Sequence, residues 1–410
     1  MKDFSITKKS FSKEETMIVR EHYLRQIRPF YDSNLIKVIT GIRRCGKSVI
    51  MEQVEAELRR LGKRTLKLNF EQRAVSSIIQ TADDLIRTIT AHTSNEKLYV
   101  FLDEVQFVKD WNIACQSLRL ENISLFVTGS NSKLLSKEFT KELSGRYVAF
   151  RIRPFVYKEL VEYANQFSKN YSISDYLIYG GFPQVIEFNT KEAIVRYLND
   201  LDDTIVINDI LNRYKIRKDE LFRRLVNFVL LSNARIFSAS SVQKFLKGQG
   251  LFCSLNTILK YLGYLQEAYI ISPIQQFSTK AKRELKYYQK IYDEDVAFNS
   301  IRQTDGHWDI THNLENIVFN ELLYRGYALS VFRTDAAEID FLAEKNNRQY
   351  LIQVAYSVAE ETTYKREFAL FNKLDQSRQK ILITNDDFDF STSTVRHLQL
   401  KDFLLCEDLD

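Results

Sequence analysis

An eight-residue stretch near the start of the chain matches the phosphate-binding pattern G-x-x-x-x-G-K-[ST] in full. Its members are Gly41, Ile42, Arg43, Arg44, Cys45, Gly46, Lys47 and Ser48. Glycines let successive backbone N–H groups turn toward phosphate oxygens, and a following helix adds its positive N-terminal end. Lys47 is expected to reach the β- and γ-phosphates, and the Ser48 hydroxyl to bind Mg²⁺. The pattern therefore predicts that the chain binds ATP together with Mg²⁺.

The residues on either side of this loop have the periodicity that the pattern requires. The apolar run at residues 35–40 predicts a buried parallel strand, and residues 49–60 have helical spacing. A chance glycine-rich turn would not be expected between a buried strand and a helix. The flanks favour a phosphate-binding loop over such a turn.

Two adjacent carboxylates follow a second apolar run at residues 98–102. Asp103 and Glu104 come where this predicted strand ends, which in a doubly wound sheet is the ligand-binding edge. We expect Asp103 to hold Mg²⁺ through its water shell and Glu104 to orient or deprotonate the attacking water. An acidic pair also occurs in plain turns, but together with the upstream loop it favours ATP hydrolysis over nucleotide storage.

A third apolar run, residues 123–127, leads to further polar side chains. We expect Asn131, with Ser130 as the alternative, to hydrogen-bond the γ-phosphate or the water; a turn stabilised by these side chains is the other interpretation. Arg146 precedes a strand predicted at residues 148–152. It is either an arginine finger for the γ-phosphate of a neighbouring subunit, which implies a homo-oligomer, or a surface ion-pair partner.

Composition sets limits on these interpretations. A chain of 410 residues with 45% hydrophobic residues predicts two to three globular domains. A net charge of +5, from 58 basic and 53 acidic residues, is too balanced to indicate a nucleic-acid partner by itself. Four scattered cysteines are typical of a reducing compartment rather than a disulfide framework or zinc site. Without a signal peptide or a long apolar run, we expect a soluble cytoplasmic protein with no membrane partner.

Motifs along nearly the whole chain, from about residue 20 to the 380s, resemble the bacterial and archaeal AAA+-like ATPases that carry a C-terminal domain of unknown function. The matching stretches are residues 41–48, 102–106, 110–111, 128–135, 145–147, 154–155, 180–183, 204–205, 209–210, Arg213 and residues 314–319. One departure is Asn208, where an arginine usually precedes the Asp-Ile pair. A sensor arginine is therefore not expected at that position, although Arg213 remains available.

The resemblance implies an α/β fold with three parts. Residues 16–165 would form an ATPase domain of the AAA+ type with a five-stranded parallel P-loop sheet. Residues 166–300 would form a helical segment plus a winged-helix module. Residues 301–410 would form a restriction-endonuclease-like α/β domain.

The middle of the chain supports a winged helix on its own residues. The pattern predicts helices at 221–231, 238–246 and 254–266, strands at 269–271 and 285–288, and between the strands a basic tip at 279–283. A third helix with Asn256, Thr257 and Lys260 facing outward, beside a basic tip, would suit duplex DNA. The other interpretation is a charged hairpin on a module that binds protein.

The last part of the chain contains a second set of polar residues. In the endonuclease-like core that it resembles, an aspartate and an acid or glutamine two residues before a lysine bind metal and activate water. Asp340 and Gln353 occupy the first two of these places, but Ala355 stands at the lysine position. Without that ammonium a major electrostatic contribution to cleavage is lost. Glu315 and Asp340 could still hold Mg²⁺, but a retained scaffold with a degenerate site is favoured.

Two nearby lysines are candidates to replace the missing one, but their positions argue against it. Lys345 lies beyond the strand in a polar turn, and Lys365 opens a helix among other charges. We therefore expect an ATPase that acts on or with DNA and has no nuclease activity. The alternatives are an ATP-gated switch that binds a protein, and a nuclease licensed by ATP.

Overall fold

The computed structural model describes residues 17–129, 145–277, 289–303, 306–334, 338–374 and 377–409. The chain divides into two compact units. The first comprises Met1–Thr40 and Gly46–Tyr171, and the second comprises Gly41–Cys45 and Ser172–Asp410.

The first unit contains a five-stranded parallel sheet, which confirms the sheet predicted for the ATPase domain. Its elements are α1 (Glu21–Ile27), β1 (Ile36–Thr40), α2 (Lys47–Arg60), β2 (Arg64–Asn69), α3 (Arg73–Ser76), α4 (Ala82–Thr90), β3 (Leu98–Asp103), α5 (Trp111–Leu118), β4 (Ile123–Thr128), β5 (Tyr147–Arg151) and α6 (Tyr157–Phe167). The strand order is β2-β3-β4-β1-β5, and every pairing is parallel.

The central strands explain why these sequences read as continuous apolar runs. Every residue of β1, β3 and β4 is buried, as expected for parallel strands covered on both faces. The apolar side chains on one face of these strands, such as Val38 and Val100, form one core cluster with residues from α4 and α5, such as Leu85 and Trp111. Because parallel strands end at the same edge, β1, β3 and β4 bring the residues that follow them together.

The second unit begins with helices and ends in a mixed sheet. Its elements are α7 (Ile173–Tyr179), α8 (Lys191–Asp202), a π-helical segment (Asp203–Asn208), α9 (Asp209–Tyr214), α10 (Asp219–Leu231), β6 (Ile236–Phe237), α11 (Ala239–Gly248), α12 (Leu255–Glu267), β7 (Ile271–Phe277), β8 (Gln289–Asp293), α13 (Ala297–Ser300), α14 (Ile310–Tyr324), β9 (Ala328–Arg333), β10 (Glu338–Lys345), β11 (Arg348–Val354), α15 (Glu361–Asn372), β12 (Gln379–Thr384), β13 (Arg396–Gln399) and α16 (Leu400–Leu405). The sheet has eight strands in the order β13-β12-β11-β10-β9-β7-β8-β6.

The middle of the chain has the three helices that the sequence predicts. Helices α10, α11 and α12 match those predictions, and the side chains of Ser238 and Ser254 cap the N-termini of α11 and α12. Strands β6 and β7 both pair antiparallel with β8. The strand predicted at 285–288 and the basic tip at 279–283 lie outside the described residues.

The sheet continues across the boundary that the sequence places at residue 300. Strand β7 pairs in parallel with β9, through Gln276 opposite Val331 and Phe277 opposite Phe332. The strands beside helices α10 to α12 therefore belong to the same sheet as β9 to β13. The domain limits given above remain predictions.

The Gly180-Gly181 pair lies directly against the carboxylate of Asp295. Gly180 has φ of +72°, and a Cβ placed on it would lie 1.6 Å from Oδ1 of the Asp295 carboxylate. The N–H of Gly181 donates a 2.8 Å hydrogen bond to the other oxygen of Asp295. Only glycine allows the backbone to approach the carboxylate this closely.

Across the described ranges, no helix is both long and apolar enough to span a membrane.

Candidate nucleotide site

The loop between β1 and α2 has the backbone conformation that a phosphate cradle requires. Gly41 has φ of 141° and Gly46 has φ of 99°, values that side-chain-bearing residues rarely adopt. Gly46 immediately precedes α2, so the loop opens directly onto the helix N-terminus. The side chain of Lys47, the first residue of α2, is buried. The sequence motif thus folds into the expected strand–loop–helix arrangement.

Asp103 and Ser48 meet at the carboxyl edge of the sheet. The Ser48 hydroxyl donates a 3.1 Å hydrogen bond to Oδ1 of Asp103, the last residue of β3. Asn69 ends the neighbouring strand β2 in register with Asp103, and its side-chain amide donates to Oδ2 at 3.2 Å. The Thr128 hydroxyl, at the end of β4, also donates to Oδ1. Three neutral donors therefore fix the orientation of a buried carboxylate.

Glu104 follows in an unusual backbone conformation. Its φ of 54° and ψ of 48° lie in the left-handed region, which a residue with a side chain adopts at a cost. The N–H of Glu104 donates a 3.1 Å hydrogen bond to the Thr128 hydroxyl, and its carboxylate accepts from the Gln106 side chain. Thr128 thus holds both acidic residues, Asp103 by its hydroxyl proton and Glu104 by its oxygen. Such strain at a strand end is typical of functional sites.

The donor set fits Mg²⁺. The ion prefers oxygen ligands, keeps several of its waters and is commonly held by one or two protein groups plus phosphate oxygens. The Ser48 hydroxyl and the Asp103 carboxylate are already within 3.1 Å of each other. These are the two residues to which the sequence assigns the metal.

A buried ion pair packs against the end of the phosphate loop. The Arg20 guanidinium binds both oxygens of Glu159, at 2.8 and 2.7 Å, and the carbonyl oxygen of Arg153 at 3.0 Å. A Cβ on Gly46 would lie 3.6 Å from Nη1 of Arg20. Arg20 therefore connects the end of the loop to the segment that follows β5.

Two of the predicted γ-phosphate residues cannot be placed, and a third lies elsewhere. Asn131 and its alternative Ser130 fall outside the described residues. Arg146 is exposed at the start of β5, where its carbonyl oxygen accepts from the N–H of Ile36, the first residue of β1. The loop follows the other end of β1, so a strand of five residues separates them, roughly 16 Å. Arg146 cannot reach the γ-phosphate of its own chain, and a finger acting on another chain remains a prediction.

Comparison with known proteins supports this interpretation of the loop. Residues 33–161 match the family described as an AAA domain, and residues 170–301 and 311–403 match two domains of unknown function, DUF8612 and DUF4143. An uncharacterized protein of Haemophilus influenzae is 34% identical over 389 residues, covering 92% of this chain and 95% of the relative. An uncharacterized protein of Methanocaldococcus jannaschii is 28% identical over 384 residues, covering 86% of this chain and 83% of the relative.

The chain belongs to the family of the Haemophilus protein, and its N-terminal domain is a P-loop domain of the AAA ATPases. Among solved structures, the Walker-type ATPase paby2304 of Pyrococcus abyssi matches with a TM-score of 0.48 and 17% identity, over 70% of this chain and 97% of that one.

In this AAA-family protein, the loop residues Gly41–Cys45 group with the second unit. Within that unit, Nη1 of Arg43 forms a 3.2 Å ion pair with Asp209, the first residue of α9. Arg213 lies one turn further along α9, and its Nη1 is buried with no hydrogen-bond partner in the described part of the chain. Asn208, immediately before Asp209, ends the π-helical segment. A sensor role for Arg213 remains a prediction.

The C-terminal polar residues predicted from the sequence are brought together, but around a lysine that the sequence analysis missed. Nζ of Lys290, in β8, lies 2.9 Å from Oε1 of Glu315 and 2.7 Å from Oδ1 of Asp340. Gln353 accepts the N–H of Asp340 at 3.2 Å. Ala355 is buried in an apolar cluster.

The two lysines considered from the sequence lie elsewhere, as expected. Lys345 is the last residue of β10 rather than part of the turn that follows, and it pairs with Asp408. Lys365 is exposed and pairs with Glu361 on α15.

Two further contributors are marked in the sequence by their place at the end of a strand of the parallel sheet. Thr128 ends the apolar strand β4, which is the signal that identified Asp103, and Asn69 ends the more polar strand β2. Lys290 gives a weaker signal, because a lysine two residues before a tyrosine in a short strand is common. Its partners are 25 and 50 residues away in sequence, so no local pattern reveals it.

Proposed function

We propose that this protein is a Mg²⁺-dependent ATPase of the AAA+ type. The observation that supports this most directly is the meeting of Ser48, from the phosphate loop, with Asp103, at the end of β3. The left-handed Glu104 beside them supplies a second carboxylate. Mg²⁺ held by Ser48 and Asp103 would neutralise phosphate charge.

In this proposal each residue has one role. Lys47 binds the β- and γ-phosphates, and Glu104 orients the attacking water and accepts its proton. Thr128 keeps the Glu104 backbone in place through its 3.1 Å hydrogen bond. Asn131, or Ser130 in its stead, contacts the γ-phosphate or the water.

Two substitutions test the ATPase. Lys47→Ala should abolish ATP binding, because it removes the cation that reaches the β/γ-phosphates. Glu104→Gln should retain binding and lower kcat by about a hundredfold to ten-thousandfold, the range for loss of a general base. Glu121→Gln, at an exposed glutamate before β4, is the matched control and should be neutral. Wild-type turnover in Glu104→Gln would show that another group is the base.

We propose further that Arg146 acts between copies of the chain in a homo-oligomer. Support comes from its exposed position at the sheet edge opposite the loop. Arginine fingers contribute on the order of a thousandfold or more in P-loop enzymes. Mixing inactive Arg146→Ala and Lys47→Ala chains should then restore part of the activity, because each supplies what the other lacks. Normal turnover in Arg146→Ala would end the finger proposal.

Duplex DNA is the partner that we propose. Helices α10 to α12 with the antiparallel ladder β6-β8-β7 have the element order of a winged helix. Asn256 and Lys260 of α12 are exposed, whereas Thr257 is half-buried and bound to its cap Ser254. ATPase rates measured with and without duplex DNA across a salt series test this, since phosphate contacts weaken with salt. An unchanged rate at every salt concentration would contradict it.

A protein partner is the second candidate, because the same surface is partly apolar. Phe252, Leu255 and Leu259 are 69%, 42% and 46% exposed at and before the start of α12. Such residues are typical of a protein-binding face. Substituting the three by serine should leave DNA-stimulated turnover intact if DNA contacts Asn256 and Lys260. It should abolish co-purification of a partner if the surface binds protein.

We infer that residues 301–410 form a degenerate restriction-endonuclease-like α/β domain. Support comes from the convergence of Glu315, Asp340 and Gln353. The alternative, an ATP-licensed nuclease, would need a lysine and a metal ion to share this cluster.

A further inference from the structure

The cluster around Lys290 in the second unit has the geometry of an occupied cation site. The ammonium of Lys290 contacts one oxygen from each of two carboxylates, Glu315 at 2.9 Å and Asp340 at 2.7 Å. All three residues are at most 9% exposed. A buried pair of ionised carboxylates requires a compensating positive charge. Here the compensating charge is on a neighbouring side chain.

The surrounding residues orient both carboxylates toward the ammonium. The second oxygen of Asp340 accepts the N–H of Val354 at 3.0 Å, which leaves Oδ1 facing Lys290. The Tyr292 hydroxyl donates to Oε1 of Glu315 at 2.7 Å. Lys290 and Tyr292 are two residues apart on β8, so they project to the same face of the sheet. One strand thus supplies both groups that hold Glu315.

A further pair of hydrogen bonds makes this arrangement rigid. Gln353 accepts the N–H of Asp340 and donates from Nε2 to the buried Glu367 at 3.1 Å. Both polar groups of the Gln353 side chain are therefore used to hold Asp340 and Glu367 in position. The position two residues later, Ala355, offers no charge.

We propose that the Glu315–Asp340 pair is a cation site whose resident cation is the Lys290 ammonium, and that removing this ammonium converts it into a divalent-metal site. A divalent ion placed between the two carboxylates would have to occupy the position of Nζ. The ion and the ammonium cannot share that position, and a displaced ammonium would be left buried without its two carboxylate partners. The intact protein therefore carries a carboxylate pair of metal-binding type that takes up no metal.

The test compares two buried lysines of the same unit. Lys290→Met removes the ammonium with little change in volume. Lys380→Met is the control, because Lys380 is equally buried but donates to the backbone carbonyls of Phe371 and Leu374. Mn²⁺ binding to nucleotide-free full-length protein is measured by calorimetry, and thermal unfolding is followed with and without Mn²⁺.

The expected result is specific to one variant. Lys290→Met should bind one more Mn²⁺ per chain than wild type and unfold at a Tm several degrees higher with Mn²⁺ than without it. Wild type and Lys380→Met should show no such additional ion. The double variant Lys290→Met/Glu315→Gln should regain part of the lost Tm without metal and lose the Mn²⁺ response, because one of the two carboxylate charges is gone.

Three outcomes would overturn the proposal. In the first, wild type binds Mn²⁺ at a site that Asp340→Asn removes, so the ammonium does not exclude metal. In the second, folded Lys290→Met binds no additional Mn²⁺. In the third, Lys290→Met and the uncharged triple variant Lys290→Met/Glu315→Gln/Asp340→Asn both fail to fold while Lys380→Met folds. Lys290 would then act through packing and not through charge.

Discussion

The nucleotide site of the first unit and the Lys290 cluster of the second use the same residue types in opposite ways. In the first, neutral donors from Ser48, Asn69 and Thr128 hold Asp103 at a sheet edge beside a glycine-rich loop. In the second, the Lys290 ammonium lies directly against Asp340 and is buried with it. A carboxylate oriented by neutral donors can still bind a cation, whereas one paired with a buried ammonium cannot bind another.

The largest effect is expected at the carboxylate of the first site. Asp103→Asn keeps the size of the side chain but removes the charge that would hold Mg²⁺ with Ser48. Lost stabilisation of phosphate charge is worth several kcal/mol. We expect kcat to fall about a thousandfold, while nucleotide binding without Mg²⁺ persists. Steady-state turnover and binding of a fluorescent nucleotide measure both, with Asp83→Asn at an exposed aspartate of α4 as the matched control.

The second effect concerns stability and separates the two lysines. Lys290→Met should lower the free energy of unfolding by about 3 kcal/mol, since breaking a buried pair leaves uncompensated charge. Lys47→Met should cost less than about 1.5 kcal/mol, because sites that bind ligands are seldom optimised for stability. Urea unfolding without nucleotide or metal compares them. Equal losses of unfolding free energy would mean that Lys47 contributes as much to the stability of the fold as Lys290.

Much of this contrast could be predicted from the sequence for the first unit and little for the second. The loop, β3 and its acidic pair can be recognised from local sequence patterns, because an apolar run predicts a buried strand and its last residue marks the ligand-binding edge of the sheet. The Lys290 cluster joins β8 to α14 and to β10, although β7 and β9 separate β8 from β10 in the eight-stranded sheet. Spacing along the chain carries no record of that contact, so the residue at position 355 gave no indication of Lys290.

The Arg146 position illustrates a different limit. The sequence correctly predicts that this arginine precedes a strand. It does not show at which end of the sheet the arginine lies. Parallel pairing of β5 with β1, in register from Ile36 and Tyr147, puts Arg146 at the amino edge. The pairing register places Arg146 out of reach of the nucleotide site of its own chain, and the finger that the sequence predicts for a neighbouring subunit stays a prediction.

A third effect follows from protonation in the Lys290 cluster. Burial and the nearby Asp340 carboxylate raise the pKa of Glu315 to about 7, although Lys290 and the hydrogen bond from Tyr292 oppose this. The folded protein therefore holds a proton that the unfolded chain releases near the ordinary pKa of 4.5. The resulting stability is present below that value and is lost as the pH rises through about 7.

Unfolding free energies should consequently fall by about 2 kcal/mol between about pH 5 and about pH 7.5 through Glu315. Glu315→Gln should remove that part of the pH dependence. A residual slope should persist, because burial also raises the pKa of Asp295 to about 7. An identical pH profile in wild type and Glu315→Gln would show that Glu315 stays ionised beside Lys290.

The smallest effect is expected where Asp340 is compared with Asp103. Asp340→Ala removes one partner of Lys290 in the second unit and leaves the ammonium paired with Glu315 at 2.9 Å. Because no described contact links Asp340 to the phosphate loop, ATPase activity should stay within a factor of about two, the size of an indirect packing effect. We also expect no cleavage of plasmid or linear DNA by wild type with Mg²⁺ or Mn²⁺, with or without ATP, since the ammonium fills the metal position. Reproducible cutting that disappears in Asp340→Ala would make the second site catalytic. The difference between the two regions would then lie in their substrates, DNA and ATP, rather than in whether a metal can bind.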